Sequence, residues 1–109
     1  MTATSLLGNQ EKKHLRRIGH ELNPTVTVAD KGLTETVLNE IERALKDHEL
    51  IKIKVNVADR ETRNQLITQL SETSAAEVIQ TVGRVALLFR KSKKPNPKLS
   101  NLLRSVSKK

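Results

Sequence analysis

Residues 50–57, LIKIKVNV, constrain the fold of this chain more than any other stretch. Apolar residues alternate there with polar ones over four repeats: Ile51, Ile53, Val55 and Val57. An alternation of period two predicts a β-strand with one packed face and one hydrated face. Lys52 and Lys54 lie on the second face, so the sequence predicts a sheet whose hydrated face is basic.

Helical periodicity surrounds this strand, and local signals mark where the elements begin and end. Thr34 and Asp59 are predicted N-caps, and Pro24 ends the first helix because the residue before a proline disfavours the α region. Gly83 is the expected turn between the last two strands. The predicted elements in chain order are helix 9–22, strand 25–28, helix 35–47, strand 50–57, helix 60–73, strand 76–82 and strand 84–90.

This order predicts an α/β fold, with two layers and the succession α-β-α-β-α-β-β. Strands separated by helices favour parallel pairing through right-handed crossovers, while the last two strands pair as an antiparallel hairpin. The run VALLF at 85–89 is apolar throughout and is expected at the centre of the sheet. The expected sheet therefore has four strands and is mixed.

The positive charge is concentrated at the end of the chain. The formal net charge is +8, yet residues 1–89 carry 12 basic and 12 acidic residues, whereas residues 90–109 carry eight basic and no acidic ones. We therefore predict one domain over 1–90 and a basic tail over 91–109. We expect this tail to be flexible when free, with a short helix that could form on docking from four apolar residues with helical spacing: Leu99, Leu102, Leu103 and Val106.

Several functional classes are disfavoured by what the sequence lacks. The chain has no cysteine, no secretory leader pattern and no apolar run of about 20 residues, so we expect a cytoplasmic protein without membrane contact. We also expect a monomer. Its histidines, 14, 20 and 48, lack helical metal-ligand spacing, and no phosphate loop or nucleophile elbow occurs. We expect no catalysis, metal or cofactor. A single aromatic residue, Phe89, disfavours recognition by a base-stacking aromatic platform.

The first predicted helix carries a basic sector opposite its apolar one. At about 100° per residue, this sector is roughly 140° wide and holds five residues: Lys12, Lys13, Arg16, Arg17 and His20. A face for solubility usually mixes both charge signs, whereas clustered basic residues are typical of nucleic-acid contact. For the two lysines of the alternating strand, Lys52 and Lys54, RNA contact and plain solvation remain equally open.

Three segments resemble a known family: HELNP at 20–24, DKGLTETVL at 30–38 and HELIKIKV at 48–55. Together they resemble the CRM domain, named for chloroplast RNA splicing and ribosome maturation, in its stand-alone bacterial YhbY-type form, over about residues 6–90. The resemblance implies a fold similar to the C-terminal domain of translation initiation factor three, with helices on one side of the sheet. It also implies binding to ribosomal RNA in precursors of the large ribosomal subunit.

The family's RNA-contacting loop has a G-x-x-G pattern between the first strand and the next helix. It maps here onto Ala29, Asp30, Lys31 and Gly32, so only the second glycine is kept and an acid stands at the second position. We expect Lys31 to supply the main charge of this loop.

The resulting expectation is a ribosome-assembly protein that acts without chemistry, with ribosomal proteins as further partners. The basic tail is expected to add affinity that depends on salt. The alternative from a different class is a protein–protein interaction module, in which the domain and the tail leucines bind a ribosomal or other protein and RNA affinity is incidental.

Overall fold

The structure, a computed structural model, describes residues 8–29 and 31–91. Asp30 and the predicted tail helix lie outside the described residues, so the division into a domain and a tail stays a prediction. The observed helices are α1 (Asn9–His20), α2 (Glu35–His48) and α3 (Arg60–Ser74). The observed strands are β1 (Pro24–Val28), β2 (Leu50–Val55), β3 (Glu77–Val82) and β4 (Val85–Phe89). The order of elements and the α/β class are thus confirmed.

The four strands form one mixed sheet in the order β1-β2-β4-β3. Strand β1 runs parallel to β2, while β4 is antiparallel to both β2 and β3. The apolar strand β4 is central, as its composition predicts. Because β4 lies between β2 and β3, the crossover through α3 skips one strand.

Both predicted N-caps form, and each satisfies an otherwise unpaired amide at a helix start. The Thr34 hydroxyl accepts a hydrogen bond from the Val37 amide at 3.2 Å. The Asp59 carboxylate accepts one from the Thr62 amide at 3.0 Å, and the two hydrogen bonds from Thr62 lower the pKa of Asp59. These caps place the N-termini of α2 and α3 directly after their preceding loops.

Helices α2 and α3 pack on one face of the sheet and form the larger core. Ile41 and Leu45 of α2 lie against Ile51 and Leu88, and all four side chains are fully buried. Leu70 of α3 joins the same cluster. Burying one such side chain stabilises the fold by about 1.5–3 kcal/mol.

Helix α1 lies on the other face, which corrects the expectation that all helices occupy one side. Its Leu15 and Ile18 pack with Leu50, Ile79 and Leu87 in a second, smaller cluster. Side chains alternate across a strand, so Leu50 and Leu87 face away from their neighbours Ile51 and Leu88. Helices α2 and α3 therefore cover most of one face of the sheet, and α1 covers part of the other.

The close approach of α1 to the sheet depends on Gly19. This residue is buried, and a Cβ atom added to it would lie 2.5 Å from Leu87 Cδ2 and 2.6 Å from Cδ1. The last turn of α1 therefore sits directly on strand β4, and the side chains flanking Gly19 are held beside the uncovered part of the sheet.

Candidate nucleic-acid interface

The exposed side of α1 and the uncovered part of the sheet meet at the last turn of the helix. Here we call the group formed by Lys13, Arg16, Arg17 and His20 the basic α1 surface. Together with Glu21 and Gln80, these four residues line one shallow depression. The three side chains Lys13, Arg17 and His20 are exposed, and Arg16 is half-buried. Four of the five residues of the predicted basic sector thus line one concave site, together with one acid, Glu21.

Beside this depression lies a hollow of about 330 Å³ between the end of α1 and the sheet. His20 and Gln80 line both concavities, so the two are contiguous. Lys52 lines the hollow and is half-buried, while Lys54 is exposed two residues further along the same face of β2. The structure therefore brings Lys52 next to the basic α1 surface and continues the positive charge onto the sheet.

Lys12 differs from the rest of the predicted basic sector. Its ammonium group lies 3.5 Å from Glu77 Oε2 of strand β3, and Lys12 is half-buried. An ion pair with this degree of exposure is worth little in stability but reduces the charge available to another anion. Lys12 therefore lies at the side of the site, where its ion pair links α1 to the edge strand β3.

The predicted loop lies at the far end of strand β1. The Gly32 amide donates to the Ala29 carbonyl at 2.8 Å, which closes a tight turn, and Gly32 has a φ of +75° that glycine adopts readily. Among the described non-glycine residues, only Glu49 and Ala75 have positive φ, so Ala29 fits this turn without strain. Lys31 is exposed, and Asp30 lies outside the described residues.

The loop and the hollow are separate points along one sheet edge. Pro24 lines the hollow and pairs with Lys52, whereas Ala29 follows the last residue of β1. At about 3.3 Å per residue, five residues place the loop about 16 Å from the hollow. Lys54 pairs with Thr27, one residue before the end of β1, and therefore lies between the two. A nucleic-acid strand would have to span this distance to contact both.

Arg84 has a structural role at the same end of the sheet. Its guanidinium donates to Asn56 Oδ1 at 2.9 Å, and its carbonyl accepts from the Val55 amide. Arg84 lies in the hairpin turn next to Gly83. It also ties the hairpin to the loop that follows β2.

Sequence reasoning missed six residues that line the hollow, and three of them lie on the last two strands and have open side chains: Gln80, Val82 and Val85. Their common orientation depends on strand pairing, because Gln80 pairs with Leu87 and Val82 with Val85. A register irregularity between Val78 and Gln80 changes the alternation of β3.

Within the described residues, no group of histidines and carboxylates could hold a metal ion. No helix among them is long and apolar enough to cross a membrane.

Fold and site define a small α/β domain with a basic helix laid across one face of a mixed sheet. The chain belongs to the CRS1/YhbY (CRM) domain family, whose model matches residues 7–90. The resemblance seen in the sequence segments is thereby confirmed.

Similar proteins carry names that refer to RNA. A Pseudomonas aeruginosa protein named as a probable RNA-binding protein is 48% identical over 98 residues, covering 90% of this chain and 94% of its own. A Haemophilus influenzae protein named as an RNA-binding protein is 45% identical over 86 residues, covering 79% and 87%. A Staphylococcus aureus protein, whose solution structure is titled as that of a candidate RNA-binding protein, matches with a TM-score of 0.72 at 27% identity, covering 87% and 98%.

Proposed function

We propose that this protein binds RNA through the basic α1 surface and the adjoining sheet face, and that it acts without catalysis in assembly of the large ribosomal subunit. The RNA is ribosomal RNA within subunit precursors, contacted mainly through its phosphates. The loop of Ala29, Asp30, Lys31 and Gly32 touches the same RNA at the far end of β1. The protein stabilises an assembly intermediate and then leaves.

The observation that carries this proposal is the sorting of charge between the two sides of the sheet. Helices α2 and α3 together carry six acidic and four basic residues, a net charge of −2. Helix α1 carries four basic residues and one acid, a net charge of +3, and β2 adds two lysines on the same side. Clustered positive charge on one face is the electrostatic footprint of nucleic-acid binding.

Two further findings support RNA as the partner. The relatives in Pseudomonas and Haemophilus, which share nearly half of the aligned residues, are named for RNA binding. Phe89 is half-buried against the α1-side cluster, which removes the one aromatic ring from any exposed stacking platform. Phosphate contact therefore dominates the affinity, and binding must weaken as salt rises.

Sedimentation of a cell lysate through a sucrose gradient tests this proposal at the level of the ribosome. The protein is followed by immunoblot at low salt and then at higher salt. We expect it to migrate with large-subunit precursor particles, and higher salt should release part of it. Migration at the top of the gradient under both conditions would contradict a role in subunit assembly.

A further inference from the structure

The hollow between α1 and the sheet has an apolar floor inside a cationic surface. Leu87 forms its base and is 4% exposed, Val85 is half-buried, and Val82 is 63% exposed. Val82 is the large apolar residue that stands out as exposed among those the structure describes. Lys52 and His20 border this floor, and Lys52 places a positive charge beside the apolar surface.

From this arrangement we propose that the hollow holds one unpaired nucleobase of the bound RNA. This inference rests on the proposed function and deepens it, because it names an unpaired nucleotide as the group recognised. A base offers a flat, largely apolar face, and the phosphates on either side of it are anionic. A floor of valines and a leucine beside basic side chains matches both properties.

The neighbouring side chains suit the rest of the nucleotide. His20 and Gln80 stand between the hollow and the depression on α1, and both carry hydrogen-bond donors and acceptors that can meet a base edge. Lys52 lines the hollow and donates only. Arg16 and Arg17 line the contiguous depression, where the next phosphate of the strand would lie.

An unpaired base is favoured over a duplex for geometric reasons. In A-form RNA the bases are stacked inside the helix, and a duplex would meet this surface with its phosphates and 2′-hydroxyls alone. The apolar floor would then stay uncovered. A volume of about 330 Å³ lies at the low end of the range that holds small ligands, about 300–1,000 Å³.

The test compares RNA probes that differ in one base. The full chain is titrated with a short oligouridylate carrying one central adenine, with the same strand carrying a central abasic site, and with a duplex of equal length. We expect the adenine strand to bind about fivefold more tightly than the abasic strand, because the base buries apolar surface on the floor. The duplex, which offers no unpaired base, reports contact by phosphates alone, and a change in the floor of the hollow should leave its affinity unchanged.

Two neutral variants on strand β3 locate the effect. Val82→Gln places a polar side chain in the apolar floor. Thr81→Gln is the control, because Thr81 is equally classed as exposed but lies on the opposite face of the sheet. It pairs there with Ala86, which belongs to the larger core. Val82→Gln should reduce the preference for adenine to less than about twofold. Thr81→Gln should keep it, and both variants should retain the wild-type circular dichroism spectrum.

Several results would overturn the inference. Equal binding of the adenine and abasic strands by the wild type would do so while leaving RNA binding intact. A preference retained by Val82→Gln would place the base elsewhere. Concentration-dependent self-association lost in Val82→Gln would assign the valine to a second copy of the chain. Absence of binding to any of the probes would refute the proposed function and this inference together.

Discussion

Neutralising two arginines of α1 should weaken RNA binding by an amount set by lost phosphate contacts. Arg16 and Arg17 line the same depression, and the ion pairs found among the described residues involve neither of them. Both guanidinium groups are therefore free to contact phosphate. The double variant Arg16→Gln, Arg17→Gln removes two such contacts without adding any negative charge.

The expected loss follows from counterion release. Each phosphate contact contributes about 0.7 to the slope of log affinity against log salt for single strands and about 0.9 for duplexes. Two lost contacts should lower the slope by about 1.4 to 1.8. With 1 M salt as the reference, RNA affinity at about 0.1 M salt should fall by about 25- to 60-fold. This corresponds to about 2–2.5 kcal/mol of binding free energy.

A matched control separates local contact from net charge. Arg43 and Lys46 are exposed on α2, across the sheet, and Arg43→Gln, Lys46→Gln changes the net charge by the same two units. RNA affinity is measured by fluorescence anisotropy with labelled ribosomal RNA fragments over a range of salt. This control should keep the wild-type slope of log affinity against log salt. An equal loss in both variants, or an unchanged slope in the α1 variant, would refute the reasoning.

Three further variants test the surrounding structure. Lys12→Gln should change RNA affinity by less than about twofold, since its ammonium group already pairs with a carboxylate of β3; a tenfold loss would contradict this. Gly19→Val should reduce the free energy of unfolding by about 2 kcal/mol, because its side chain would overlap Leu87, and wild-type stability in urea would be the contrary result. The hydrogen bonds from Arg90 lower the pKa of Glu42 below its ordinary value, so the ionised form stabilises the fold at neutral pH and this contribution is lost as the pH falls through the lowered pKa. Glu42→Gln should therefore cost up to about 1 kcal/mol at pH 7, because the exposed Glu42 carboxylate is partly screened by solvent, and the cost should vanish as acid protonates the wild-type carboxylate; a cost independent of pH would contradict this.

Much of the fold could be predicted because its signals are local. Thr34 and Asp59 mark helix starts through their own side chains, and both caps form. The crossover rule predicts that β1 and β2 are parallel, which the structure confirms. The position of β4 follows from the run VALLF, whose neighbours cover it on both sides.

The placement of α1 could not be predicted from its apolar stripe. Leu15 and Ile18 show that the helix packs on something, but their spacing does not say which face of the sheet receives them. One signal was present: Leu50 and Ile51 are consecutive apolar residues, and adjacent side chains of a strand point to opposite faces. Both are fully buried, which requires cover on both faces at that point.

For the candidate site, the sequence predicts which basic residues take part but not the shape of the surface that they form. The basic residues of α1 follow from helical spacing, but the hollow depends on contacts between segments distant in sequence. Gln80 and Val82 reach it through their pairing with β4 and a register irregularity in β3. The pairing of Lys12 with Glu77 likewise depends on the helix crossing the sheet edge.

The most direct test of the central claim is an NMR titration of the ¹⁵N-labelled protein with a short fragment of large-subunit ribosomal RNA. If RNA binds where we propose, the amide shifts that change most will be those of Arg16, Arg17, Lys52 and Lys54, and the change will diminish with salt. Shift changes confined to α2 and α3, on the other side of the sheet, would contradict the account.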